Sequence, residues 1–144
     1  MVYKKTQVFQ VPKKIEVRRV DEDRYGKAGR GVYATKKIKA GEVIEECPII
    51  RCPEDSILPP ISYYTFQWKP TYTKWGGEKK VAAMVLGYGS LYNHCSVPNA
   101  DVQYKNDDCQ LVVALDDIEP DEEVVIDYRS PYVFPEENEW ELEQ

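Results

Sequence analysis

The sequence has one histidine, His94, and none of its cysteines stand in a CxxC pair. Cys47, Cys52, Cys95 and Cys109 are scattered, so they lack the ligand spacing of a zinc site and read as free thiols. One His with dispersed Cys is also a poor ligand set for metal-dependent hydrolysis, and no metal site is expected. No apolar run approaches the length of a membrane span, so no membrane association is expected. Met1 to Lys14 mixes Lys and Gln with isolated Val and Phe and has no apolar signal-peptide core. This predicts a reducing, intracellular setting, cytoplasmic or nuclear. Positive charge is in the minority, with 19 Lys and Arg against 25 Asp and Glu, a net charge of −6. Such a surface repels nucleic-acid phosphates and favours basic partners, although a charge that merely keeps the chain soluble explains the same number.

The 144 residues suit one domain with a single core. Ile15 to Val20 has a strand pattern, preceded by an arm or edge strand and followed by a charged stretch, Asp21 to Lys27. Val32 to Thr35 is a short β-like run. Lys39 to Glu42 is a turn, and Val43 to Ile50 is a strand pair or one bent strand. Residues 53–80 read as an irregular insert, with Pro59, Pro60, Pro70, Gly76, Gly77 and many aromatics. Val81 to Leu91 is small and apolar, which suits a short helix interrupted by Gly87 and Gly89. Asn99 to Tyr104 and Gln110 to Leu115 alternate as a hairpin across residues 105–108. Ile118 to Glu123 is a turn and Val124 to Ile126 a buried strand, and an acidic tail occupies 134–144. No internal repeat is evident. The class is mostly β, with short helices and long loops.

Four separated segments carry chemistry. Lys27-Ala28-Gly29-Arg30-Gly31-Val32 lets backbone approach a ligand closely, but turn glycines account for it as well, and it lacks the GxGxxG spacing of a dinucleotide site. Gly87-Tyr88-Gly89 runs through Asn93-His94 to Pro98-Asn99. A lone His such as His94 is most simply a structural hydrogen-bonding residue. As a catalytic base it would lack an accompanying Ser or Cys nucleophile. Tyr128, after the apolar Val124-Val125-Ile126, is either half-buried packing or a phenol presented in a narrow channel. Tyr63-Tyr64-Thr65-Phe66 either walls such a channel or fills a small core of its own.

In this order the segments resemble the SET-domain family of protein lysine methyltransferases. Gly29-Arg30-Gly31-Val32 is similar to its first motif, Gly87 through Asn93-His94 to Pro98-Asn99 to its NHSxxPN region, and Asp127-Tyr128 to its terminal motif. Lys39 to Glu42 and Ile118 to Glu123 look like the family's recurrent I-xx-GE-x turns. The resemblance covers residues 15–133. In compactness and in Tyr64-Thr65-Phe66, the chain is most similar to the small viral SET-domain histone methyltransferases, which work as dimers without flanking zinc-binding regions. It departs from the family at Cys95, where Ser is frequent, at Ile126, where an aromatic is frequent, and in having no cysteine cluster after the domain.

The resemblance implies a β-clip-like fold of small curved sheets, with the C-terminal segment threaded knot-like beneath the loop holding Asn93 and His94. It implies S-adenosylmethionine as cofactor, met by Lys27, Ala28, Gly29, Arg30 and Gly31, by Asn93 and His94, and by Tyr128, Tyr132 and Phe134. It implies Tyr128 as the catalytic residue, in a lysine channel lined by Tyr64, Tyr88, Ile126, Tyr128 and Tyr132. Ile126 leaves more room than a phenol, which implies addition of more than one methyl. The cap over the cofactor would come from Tyr132, Phe134 or Trp140, or from a second subunit of a homodimer. The acidic surface suits a basic protein tail such as a histone's. Two competing readings stand beside this one: a catalytically silent SET-like module that binds a peptide, and an unrelated β-rich interaction protein with no affinity for the cofactor.

Overall fold

Short β-branched runs punctuated by Gly, Pro and acidic turns cannot bury their apolar faces singly, and they fold into two sheets. The computed structural model describes residues 8–19, 29–72, 79–106 and 108–129. Its strands are β1 (Ile15–Arg19), β2 (Arg30–Ala34), β3 (Val43–Pro53), β4 (Thr65–Tyr72), β5 (Lys79–Val85), β6 (Asn93–His94), β7 (Ala100–Asn106), β8 (Cys109–Ala114) and β9 (Glu123–Ile126). Single turns of 3-10 helix stand at Glu54–Ser56 and Ile61–Tyr64. The mostly-β class is as expected. Among the described residues no helix is long and apolar enough to cross a membrane.

The larger sheet has the order β4-β5-β3-β8-β7. Strands lie about 4.8 Å apart, so a flat sheet of this order would hold its edges roughly 19 Å apart. Instead Trp68 on β4 and Tyr104 on β7 bring their ring centroids to 5.6 Å, inclined at 44°. The sheet therefore curls until side chains from its two edges meet, closing over a core of Cys47, Ile49, Val81, Ala83, Val85, Val102 and Val112. The smaller sheet has the order β1-β2-β9-β6.

Two expectations are corrected here. Residues 53–80 are only partly irregular: they hold the two 3-10 turns and all of β4. Phe66 and Trp68 alternate with Thr65 and Gln67, which is strand periodicity hidden among many aromatics. Residues 73–78 lie outside the described residues. Val81 to Val85 is not helical either. It pairs with β3 on one side and β4 on the other, and its small side chains suit a strand enclosed by two neighbours. Residues 86–91 then form turns.

The two I-xx-GE-x turns form a pair related by an approximate two-fold. Ala34 to Val43 and Ala114 to Glu123 occupy equivalent places, so the two similar turns form a short internal repeat where none was expected. Ile38 and Ile118 exchange backbone hydrogen bonds of 2.9 and 2.8 Å on the axis. Gly41 donates to the Ala114 carbonyl at 2.8 Å, and Asp121 donates to that of Ala34 at 2.7 Å. Ala114 in turn donates to Glu42 and Ala34 to Glu122, each at 2.9 Å. The turn residues Gly41 and Asp121 both adopt left-handed backbone, at φ 85° and 70°. Charge complements the symmetry: Lys37 faces Asp117 at 4.0 Å and Glu119 at 3.5 Å.

Ile38 and Ile118 are wholly buried, and their contact locks β2–β3 to β8–β9. Ile118→Ala should cost about 2–5 kcal/mol in urea unfolding, whereas Lys37→Ala on the same contact should cost less than about 1 kcal/mol. Equal losses would show that the junction is held by surface charge.

Candidate active site

The site grows from one parallel pairing. In β6, Asn93 and His94 lie beside Val125 and Ile126 of β9. The pairing continues past the strand ends: Cys95 donates to the Ile126 carbonyl at 2.9 Å and Asn99 to that of Val125 at 3.3 Å. Asn99 fastens β9 from the side. Its Nδ2 donates to the Glu123 carbonyl at 2.8 Å, and its Oδ1 accepts from the Val125 amide at 2.9 Å. This is the work of the Pro98-Asn99 pair, a side chain imitating a strand.

Tyr128 emerges from β9 into a fixed position. Its backbone N–H donates to His94 Nδ1 at 3.0 Å, and its hydroxyl donates to the Tyr92 carbonyl at 2.6 Å. The His94 and Tyr128 rings lie 5.2 Å apart, inclined at 47°. His94 is thus a backbone-anchoring residue. Because its Nδ1 accepts the Tyr128 N–H hydrogen bond, the 3.6 Å approach of Asp127 Oδ1 to that nitrogen is not an ion pair in this arrangement. The Asp127 partner is Arg129, whose guanidinium hydrogen bonds bring the Asp127 pKa down to about 2.

A polar cradle lies on the other side of Asn93. Its Nδ2 donates to the Arg30 carbonyl and to Glu123 Oε2, both at 2.8 Å. With both amide protons engaged, Asn93 Oδ1 is the atom left to face a ligand. A side chain at Gly31 would run into Glu123 Oε2 and lie 2.9 Å from Asn93 Nδ2, so any residue but glycine there would have to push the cradle's polar side-chain ends aside. Gly29 contributes left-handed backbone, at φ 67°.

A third group of residues surrounds the 86–92 turn. Ser90 Oγ lies 3.0 Å from the Tyr64 carbonyl and 2.9 Å from that of Val85, and its single hydroxyl proton is shared between them, which ties the Tyr64 segment to the turn. Tyr64 is exposed, and Tyr88 is half-buried against the core. Beneath the turn lies Glu45, 3% exposed. Its Oε1 accepts from the Tyr92 hydroxyl at 2.7 Å and its Oε2 from the Tyr88 amide at 2.9 Å. Burial raises the Glu45 pKa.

The SET domain family pattern matches residues 29–129. The chain belongs to the SET-domain family. Two solved structures share the fold of this SET domain. A Plasmodium falciparum protein described as a histone methyltransferase is 28% identical, with 84% of this chain and 97% of that one covered and a TM-score of 0.65. The methyltransferase domain of human PR domain-containing protein 2 is 14% identical, with 88% and 81% covered and a TM-score of 0.57. No curated protein matches the sequence significantly. Family and fold together place the chain among methyltransferases.

The SET domain brings Arg30 and Gly31 to Asn93, and His94 to Tyr128, with Arg30 and Asn93 63 residues apart in sequence and His94 and Tyr128 34. It links Tyr64 and Tyr88 through one turn. Ile126, expected on the channel wall, is 1% exposed and packs against the core beside Val124. Lys27, Ala28, Tyr132, Phe134 and Trp140 lie outside the described residues. Sequence reasoning missed Glu123, Tyr92 and Glu45. Glu123 opens the motif strand and Tyr92 directly precedes Asn93, positions from which adjacency could have suggested them; Glu45 gave no local signal.

The glycines separate tight packing from tight function. A side chain at Gly89 would strike Val85 Cγ1 and lie 2.9 Å from Val85 Cβ, in the core, whereas one at Gly31 meets the ends of polar side chains. Both alanine variants should lose stability within about 0.5–3 kcal/mol, Gly89→Ala more than Gly31→Ala. Urea unfolding giving the reverse order would mean that the Asn93–Glu123 cradle is rigid.

Proposed function

We propose that the chain transfers methyl groups from S-adenosylmethionine to the side-chain amine of a lysine in a basic protein. The observation carrying this reading is Tyr128, held at its hydroxyl by Tyr92 and at its amide by His94, the β6 neighbour of Asn93 and its cradle. The cradle suits the cofactor's amino-acid end. The Arg30 carbonyl, the Glu123 carboxylate and Asn93 Oδ1 are acceptors fit for an ammonium, and Gly31 leaves the room that a Cβ would fill. Bound there, S-adenosylmethionine supplies an electrophilic methyl group, so the protein need provide no nucleophile.

The chain's own task is alignment and drying. Holding two reactants in line can remove roughly 7–11 kcal/mol of barrier. In this reading Tyr64, Tyr88 and Tyr128 enclose the incoming amine. Their rings exclude water, which favours the neutral amine, and their faces tolerate the cation that forms on methylation. The Tyr128 hydroxyl, directed at the Tyr92 carbonyl, presents its oxygen for weak C–H···O contacts. Ile126 brings no hydroxyl to restrain the amine, so the reading includes addition of more than one methyl. The net charge of −6 favours a Lys- and Arg-rich tail. The resemblance in fold to a protein described as a histone methyltransferase supports a histone-like substrate and action inside the cell. A second subunit is one source of the cofactor cap.

Labelled cofactor incubated with histones and other basic proteins should mark a lysine, which mass spectrometry locates. Long incubation should give di- or trimethyl product, and monomethyl product alone would reject the spacious channel. Tyr128→Phe should lower turnover about tenfold or more, roughly 1.4 kcal/mol of barrier, while cofactor affinity changes little. Asn93→Ala should do the opposite, weakening cofactor binding in calorimetry by a similar factor. Cofactor binding without any transfer would identify a silent peptide-binding module, and no binding at all would remove the cradle assignment.

A further inference from the structure

We propose that Glu45 is a positioning residue for the Tyr128 phenol and acts through the 87–92 turn; this rests on the role given to Tyr128 above. Glu45 and Gln110 are the polar side chains buried among the described residues. Packing alone does not call for a carboxylate here, since an apolar side chain of similar volume commonly serves a core as well or better. What the carboxylate provides is two fixed acceptors aimed at opposite ends of one turn.

At the start of the turn, Glu45 Oε2 receives the Tyr88 amide at 2.9 Å. Gly87, at φ 66°, lets the backbone come this close, because a Cβ there would collide with the same oxygen. At the end of the turn, Glu45 Oε1 receives the Tyr92 hydroxyl at 2.7 Å. Cys47 is buried beside the carboxylate on the same face of β3. The span between is closed by its own backbone, with Gly89 donating to Leu86 at 3.2 Å and Leu91 to Tyr88 at 2.8 Å.

The turn then acts on the site in two places. Tyr92, 1% exposed, cannot shift its ring, and its carbonyl is the acceptor that orients the Tyr128 hydroxyl at 2.6 Å. Ser90, from the same turn, holds the Tyr64 carbonyl at 3.0 Å. One buried carboxylate therefore sets the direction of the phenol and the place of the segment facing it. Glu45 touches neither reactant in this scheme. Its effect passes through Tyr92.

The test compares Glu45→Leu, Glu45→Gln and Tyr92→Phe in the full chain. Glutamine keeps one acceptor for the Tyr88 amide and offers an N–H to the Tyr92 oxygen, so it should rescue. Phenylalanine at 92 keeps the ring in the core and removes only the bond to Glu45. Glu45→Leu and Tyr92→Phe should each lower kcat per folded molecule about tenfold or more, the scale of a small misplacement of a reacting group. The KM for S-adenosylmethionine should stay within about twofold, and the double variant should lose no more than either single one, as for residues acting in one chain. The ¹³Cζ resonance of Tyr128 should move in both variants and return in Glu45→Gln. A fall in melting temperature with kcat per folded molecule unchanged would overturn the proposal, as would a Tyr128 resonance unmoved by both variants. A parent chain inactive on every substrate would remove the enzyme reading instead, and the resonance would still decide whether Glu45 positions Tyr128.

Discussion

Everything in the site depends on two residues of β6 lying parallel to two residues of β9. Isolated, such a pairing is too short to persist, since a ladder of this length cannot offset the entropy of bringing its ends together. It persists here because the segments are pinned on either side. Asn99 ties β9 down by two bonds beyond the strand, and the Ile38–Ile118 contact fixes the turn that feeds it. Once formed, the pairing presents Asn93 toward the Arg30–Gly31 backbone and His94 toward Tyr128. A cradle and a phenol are thus placed next to each other without being neighbours in the chain.

The two halves of the molecule meet through repeated chemistry. Each I-xx-GE-x turn places an isoleucine on the approximate axis, a left-handed residue at its corner and a carbonyl where the other turn needs one. One member satisfies the left-handed corner with Gly41 and the other with Asp121, the side chain most tolerant of that region after asparagine and glycine. The Lys-rich character of one turn and the Asp- and Glu-rich character of the other add attraction to the contact. Exposed pairs such as Lys37 with Glu119 contribute little, so the buried isoleucines and backbone bonds carry the junction.

Several parts of this arrangement were legible in the letters. The spacing from Asn93 through Pro98-Asn99, the Gly29-Arg30-Gly31 run and the apolar strand before Tyr128 belong to motifs whose order identifies the family. The hairpin of β7 and β8 and the strands β1 and β9 followed from local alternation. The errors have specific causes. Phe66 and Trp68 lay within a stretch so rich in Pro and aromatics that its period of two was masked. The small residues of β5 suit either a helix or an enclosed strand, and only its two neighbours decide between them.

Glu45 shows where sequence reading stops. Alternation from Ile44 would turn Glu46 inward and Glu45 to solvent. A register shift between Val43 and Glu45 reverses that phase, burying Glu45 with Cys47 and Ile49 while Glu46 reaches Lys105 at 3.1 Å. By itself, the sequence determined the family, the β-rich class and the residues able to meet a ligand, because these lie in short local patterns of residue type and spacing. Only the tertiary structure decided which glutamate is buried, which carbonyl receives the Tyr128 hydroxyl and that Glu123 closes on Asn93. Each of these depends on strand register and on contacts between distant segments, where a shift of one residue changes the face a side chain presents.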